Sequence, residues 1–382
     1  MVLFKGGKVF LKDHFEPKDV LVAHGKITAV GHFQESIFSS WPEETETVEC
    51  RGFLLLPGLI DPHLHLSGGS GEAGGFFSQS PPILVSECVR GGVTTVVGTL
   101  GVDTTTKTMA DLIAKVKSYN EIGLTAYAYT GGYDTPPKTL TDSVRKDVLF
   151  IQEILGVGEI AIADPRAPEP SPGDLARSCI DAYVGGLLSG KAGVSHFHVG
   201  EGERRLQSVR DLLAQHQVQP GKLHLTHIER SAALVDEGIE LARRGCFIDF
   251  DIHERDLHRW LKYYRERGGP PGQLTVSSDA GISSPQELWQ EIQKCVFEYG
   301  FSLEELLPHF TENPARVLQL SAKAAIEKNK DADLVIVDEK TLEIHHVLAG
   351  GTFFLRDGKL TRERRIHLQR RGYDIYEIHG QA

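Results

Sequence analysis

Residues 59–75 read LIDPHLHLSGGSGEAGG, an apolar run that ends in two histidines two apart and opens at once into a glycine-rich loop. Residues i and i+2 of a strand point to the same face, so His63 and His65 project together. A lone histidine on such a face is usually a satisfied core residue. Two of them, where a buried strand gives way to a loop, point instead to metal ligation, since paired imidazoles suit a divalent ion.

Seven further short apolar runs follow: TTVVGTLG, LTAYAYTG, EIAIADPR, VSHFHVGE, KLHLTHIE, CFIDFDIH and LTVSSDAG. Stretches with helical periodicity lie between them, among them MADLIAKVKSYNEI, SVRKDVLFIQEIL, LQSVRDLLAQHQ and AALVDEGIELARR. Strands alternating with helices imply parallel βαβ units. Eight of them predict an α/β fold, a closed (β/α)8 TIM-like barrel over residues 56–324, with its active site at the C-terminal ends of the strands. The two chain ends differ in character. VLFKGGKVFLKD and KDVLVAHGKITAVGH near the start, and ADLVIVDEKTLEIHHVLAGGTFFLRDGKL at 332–360, alternate apolar and polar residues around glycine turns. They predict one small β-sandwich domain built from residues 1–55 plus 325–382. The charged tail TRERRIHLQRRGYDIYEIHGQA reads as a solvated extension or a subunit contact.

Composition narrows the function. Of 382 residues, 40% are hydrophobic and 24% charged, enough for a normal core. A net charge of −11 argues against a nucleic-acid partner, because phosphate binding wants a basic face. An anionic substrate must then be caught by local arginines. The five cysteines are scattered, with no C-x-x-C spacing, as expected for reduced thiols in a cytoplasmic protein. No apolar run is long enough for a signal peptide or a membrane span.

The eight runs also place polar residues. Strand one ends in His63 and His65; strand four carries Glu159, strand five His198, strand six His227 and strand eight Asp279. An unpaired charge or imidazole is costly to bury in such runs, and on a barrel these ends converge on one mouth. Four histidines and two carboxylates suit zinc or a similar divalent ion, with ligands enough for two. The bland alternative is a set of unrelated buried polar groups. His196 faces inward below His198 and reads as packing or as a support behind the ligands, His224 reads as structural, and His253 reads as a surface residue before a substrate contact.

In this order, His-x-His, a bridging acid, His, His and Asp, the chain resembles the metal-dependent amidohydrolase superfamily, and within it the isoaspartyl (β-aspartyl) dipeptidases. The stretches that carry the likeness are PGLIDPHLHLSGGSGEAGG, GVTTVVGTLGVD, TGGYDTPPKT, VGGLLSGKAGVSHFHVG, THIER and SSDAGIS. His-x-His marks only the superfamily; the GGSGEAGG loop and the arginine three residues after the strand-six histidine are more specific. The resemblance implies metal ligands at His63, His65, His198, His227 and Asp279. It implies substrate contacts at Glu72, Tyr133, Arg166, Arg230 and Ser283, and a homo-oligomer. Two departures stand out. The bridging carboxylated lysine of the family is replaced by Glu159 in GVGEIAIADPR, as in adenine deaminases, and the strand-seven segment CFIDFDIHERDLHRW differs from the pattern.

The implied chemistry is coherent. A β-aspartyl dipeptide carries one amine and two carboxylates around its scissile amide. Glu72 would take the amine, Arg230 with Ser283 one carboxylate, and Arg166 the other, each arginine as a bidentate fork. Zinc, as two ions bridged by Glu159 or as a single ion, would supply hydroxide. Asp279 would relay its proton, and Tyr133 would polarise the amide oxygen. Standing alone, either arginine would read as a surface ion-pair residue and Tyr133 as an aromatic plug. The competing expectations are another amidohydrolase activity, cyclic-amide opening or aminopurine deamination, and a non-catalytic scaffold.

Overall fold

The protein is described here by a computed structural model covering residues 1–34, 45–70, 74–253, 256–281 and 283–361. Five strands come first: β1 (Val2–Leu11), β2 (His14–Ala23), β3 (Lys26–Gly31), β4 (Glu46–Glu49) and β5 (Phe53–Pro57). Eight parallel strands then form one sheet in sequence order: β6 (Leu59–Leu64), β7 (Val93–Gly98), β8 (Thr125–Thr130), β9 (Ile154–Ile162), β10 (Val194–Val199), β11 (Leu223–Thr226), β12 (Phe247–Asp251) and β13 (Leu274–Ser277). Every residue of β6, β7, β9 and β10 is buried, which is why these strands read as unbroken apolar runs rather than alternating ones.

The barrel closes through the strand-one histidines. Leu64 bridges Ala280 in parallel, His65 N–H donates to Ala280 O over 2.7 Å, and Asp279 N–H donates to His63 O over 3.1 Å. The closing seam thus sets His63, His65 and Asp279 side by side.

Around the barrel run α1 (Val85–Arg90), α2 (Met109–Ile122), α3 (Val144–Phe150), α4 (Pro172–Ser189), α5 (Gln207–Gln215), α6 (Ala232–Arg243), α7 (Leu257–Glu266) and α8 (Gln286–Tyr299), followed by α9 (Leu303–Phe310) and α10 (Glu312–Val317). Their ends follow local chemistry. Thr108, Ser171 and Ser231 cap α2, α4 and α6 by accepting from the N–H three residues on. Gly123, Gly190 and Gly300 close α2, α4 and α8 in the left-handed region.

One boundary differs from expectation. SVRKDVLFIQEIL was read as a helix, but α3 stops at Phe150 and β9 begins at Ile154. The cause lies across the sheet. A Cβ at Gly156 would sit 2.0 Å from Val194 O, and one at Gly158 2.7 Å from His196, so this strand's glycines lie directly against β10.

The last strands, β14 (Leu334–Asp338), β15 (Ile344–Ala349), β16 (Thr352–Arg356) and β17 (Lys359–Leu360), join the first ones in a nine-stranded sheet. Its seam is β5 against β14, antiparallel from Phe53–Asp338 to Pro57–Leu334. This is a single continuous sheet that folds over on itself. The turn at Gly25 meets the turn at Gly350 and Gly351, and Phe4, Val20, Val22, Ile27, Leu55, Leu334, Ile336 and Leu348 share a core of their own. The charged tail lies outside the described residues, apart from Thr361. Among the described residues no helix is long and apolar enough to cross a membrane.

Candidate metal centre and substrate cleft

Glu159 on β9 is the hub of the barrel mouth. It is 1% exposed, with Oε1 2.9 Å from His198 Nδ1 and 3.4 Å from His227 Nε2, and Oε2 3.3 Å from His63 Nε2. Asp279 Oδ1 lies 3.5 Å from His63 Nε2 and 3.2 Å from His65 Nε2. All six ligand candidates from the sequence therefore converge. Their donor atoms form overlapping groups within 4.8 Å: His63, His65 and Glu159; His63, His227 and Asp279; and Glu159, His198 and His227. Glu159, His63 and His227 each belong to two of these groups.

The residues fit a divalent ion. His63 Nε2 and Glu159 Oε2 are buried and face each other without a hydrogen bond among the described residues, an arrangement costly unless a cation joins them. The donor set is nitrogen and carboxylate oxygen, which zinc and its neighbours accept.

The electrostatics agree. Burial pushes the Glu159 carboxyl up, but the His63 charge and the His198 and His227 imidazoles that face it outweigh this and hold the group well below the usual range. Burial likewise opposes a charged His63, yet Glu159 and Asp279 raise it to about 10. Asp279 is lowered despite burial, chiefly by His63 and His65.

Behind the candidate ligands stands a layer of carboxylates that the sequence reading did not single out. His227 Nδ1 donates to Asp251 Oδ2 over 2.6 Å. His198 Nε2 donates to Asp164 Oδ2 over 2.8 Å. Each imidazole thereby turns its other nitrogen toward Glu159, with the tautomer set by the carboxylate behind it. Under His63, Thr226 Oγ1 lies 3.3 Å from Nδ1 and donates to Asp249 Oδ2 over 2.8 Å. Glu229 is buried beside Asp251; burial and then the Asp251 charge raise its pKa well above the ordinary value. The signal for Asp249 and Asp251 was present in FIDFD, since acids two apart share a strand face just as His63 and His65 do.

The remaining candidates fall as follows. Tyr133 is 6% exposed, its hydroxyl 2.6 Å from His198 Nδ1, and the Arg166 guanidinium stands 5.3 Å over its ring. Arg166 and Arg230 line one cleft of about 560 Å³ together with Ala163, Asp164, Pro165, Glu201 and Gly202. Arg230 Nη1 donates to Val199 O over 3.0 Å, which aims the side chain across the end of β10. Ser283 Oγ is buried with no hydrogen-bond partner among the described residues. Glu72 lies outside the described residues. His196 and His224 lie deep in the barrel, paired through Nδ1 at 3.1 Å, with His196 stacked on Tyr129; His253 is exposed.

The amidohydrolase family pattern matches residues 264–360. A solved β-aspartyl dipeptidase from Fervidobacterium islandicum AW-1, in complex with a β-Asp-Leu dipeptide, is 39% identical, covers 94% of this chain and 97% of its own, and superimposes with a TM-score of 0.88. An imidazolonepropionase from Thermoplasma acidophilum is 22% identical over 86% of this chain and 84% of its own length. An adenine deaminase from Geobacillus kaustophilus is also 22% identical, over 92% of this chain but only 56% of its own. Sustained identity of 39% along almost the whole of both chains, on a barrel whose mouth gathers these ligands, means that this protein belongs to the metal-dependent amidohydrolases, in the β-aspartyl dipeptidase family.

Proposed function

We propose that the protein hydrolyses the side-chain amide of β-aspartyl dipeptides at two zinc ions bridged by Glu159. The observation that carries the substrate reading is the cleft beside the metal ligands, lined by both Arg166 and Arg230. A β-aspartyl dipeptide presents a carboxylate on each side of its scissile bond, and two guanidinium forks match that pair. A neutral purine or a simple cyclic amide offers nothing comparable for them.

A divalent ion held by His63, His65, Glu159, His198, His227 and Asp279 would supply Lewis acidity toward a water molecule and the scissile carbonyl. The chain's own groups do the rest. Asp279 accepts the nucleophile's proton and returns it to the departing amine. The Tyr133 hydroxyl, at the edge of the cluster, donates to the carbonyl oxygen as negative charge develops there. Arg166 takes one carboxylate, Arg230 with the buried Ser283 hydroxyl takes the other, and Glu72, which follows the His63–His65 pair in the sequence, takes the α-amine. All five cysteines are free thiols, which supports a reducing, cytoplasmic setting. Exposed Phe150, Ile180, Leu187 and Leu188 on α3 and α4 support self-association, to be checked by light scattering.

A panel of β-aspartyl dipeptides assayed beside their α-linked isomers tests the reading. Release of free aspartate and a second amino acid from the β-linked series alone is expected. Ammonia release from an aminopurine, with no dipeptide turnover, would replace this reading with deamination.

A further inference from the structure

One carboxylate touches both halves of the site. Asp164, at the end of β9, is 8% exposed. Its Oδ2 accepts from His198 Nε2 at 2.8 Å and from Arg166 Nη2 at 2.7 Å, while Oδ1 accepts from Arg166 Nε at 2.9 Å and from the Arg166 backbone N–H at 2.8 Å. The two donors on Oδ2 stand only 3.1 Å apart. A metal ligand and a substrate-side guanidinium therefore share a single oxygen atom.

The backbone that carries this carboxylate is held from several directions. Ala163 has φ +53°, and its N–H donates to Glu169 Oε2 over 2.7 Å, while Ser208 on α5 donates to Glu169 Oε1. Ala163 O accepts from Gly202 N–H over 2.7 Å. A Cβ on Gly200 would fall 2.7 Å from Asp164 Cα, so the loop after β10 is pressed against this residue. Such over-determination is what keeps an uncommon backbone conformation in place. Asp251 behind His227 differs: among the described residues it serves that histidine, Glu229 and the His253 N–H but no arginine.

We propose that Asp164 is a positioning residue that couples metal binding to substrate binding. It fixes the His198 tautomer so that Nδ1 faces the metal, and it sets the plane of the Arg166 fork at the cleft. A charged acceptor on Nε2–H makes Nδ1 a stronger donor to the ion. A guanidinium already held through Nε and Nη2 loses less freedom when a substrate carboxylate arrives. The inference rests on the metal and dipeptide readings given above.

The test uses the full-length chain stripped of metal and titrated with Zn2+ against a chromophoric chelator, in parallel with dipeptide kinetics at saturating zinc. Asp164→Asn keeps an acceptor oxygen for His198 but no charge; Asp164→Ala removes both. Zinc affinity should fall about 10–100-fold in Asp164→Asn and further in Asp164→Ala. KM for a β-aspartyl dipeptide should rise in both at saturating zinc, with native folding of each variant checked by circular dichroism. Wild-type zinc affinity in Asp164→Asn overturns the coupling, and so does an altered affinity with wild-type KM. The zinc titration involves no substrate. If no form hydrolyses β-aspartyl dipeptides, the dipeptidase reading fails, while the zinc arm still decides whether Asp164 positions His198.

Discussion

Replacing Glu159 by glutamine keeps the size of the side chain and one coordinating oxygen while removing the charge. The carboxylate is 1% exposed and stands 3.3 Å from His63 Nε2, so water screens it little. Unit charges about 4 Å apart interact by about 4 kcal/mol at an effective dielectric constant of ~20. With about 1.4 kcal/mol per factor of ten, loss of that charge should weaken metal binding by close to a thousandfold. Elemental analysis after dialysis against a defined chelator reads this directly, with a His63→Ala and His65→Ala double variant as the metal-poor reference. Proton release gives a second measure. In the metal-free protein His63 is held up to about 10, chiefly by Glu159 and Asp279 against the effect of burial, so at pH 8 it carries a proton that metal must displace. Calorimetry in buffers of different ionisation enthalpy should show that proton leaving the wild type, and less of it in Glu159→Gln. The sign for stability follows: the raised folded pKa stabilises the metal-free protein fully below about 6.5, the unfolded value, and this is lost as pH rises through about 10. If Glu159→Gln keeps full metal content and full rate, Glu159 does not bridge.

Arg166→Ala and Arg230→Ala should each lower kcat/KM for β-aspartyl dipeptides at least about tenfold with metal content retained, and wild-type kinetics in both would rule out a dicarboxylate substrate. Asp251→Asn, which weakens the acceptor behind His227, should reduce metal affinity about 10–100-fold, measured by chelator competition. Because glutamate is ionised without chemical modification, stripped wild-type protein should recover activity with metal alone in carbon-dioxide-free buffer. Dependence on added bicarbonate would show that another group bridges. Ser283→Ala should raise KM and leave the thermal midpoint unchanged, since the buried hydroxyl has no hydrogen bond among the described residues to lose.

The barrel was legible because buried parallel strands leave a coarse signature, and His63, His65, His198 and His227 could each be assigned to a strand end from the run that carries it. The start of β9 was not. LFIQEIL is apolar at spacings that suit a helix as well as a strand, and the deciding contact, Gly156 against Val194, is a partnership between distant segments. The candidate ligands were readable one residue at a time; the carboxylates behind them were not. Asp164 sits two residues before Arg166, where a local turn acid is the ordinary reading, and only the arrival of His198 from the next strand gives it a second role. FIDFD did carry a periodic signal, and its acids point where His63 and His227 need them. Whether Arg166 rests against Asp164 or stands clear was beyond spacing altogether.

The pairing of β5 with β14 has a consequence for how the chain is made. Pro57 lies opposite Leu334, so the strand leading into the barrel finds its antiparallel neighbour only after the whole barrel has been synthesised. At ~5–20 residues per second, β1 to β5 wait on the order of tens of seconds with one edge unsatisfied while the ribosome completes the rest. During that interval Leu54, Leu55 and Leu56, buried in the finished protein, lack the strand that covers them. The nascent chain is therefore most vulnerable to aggregation before β14 emerges.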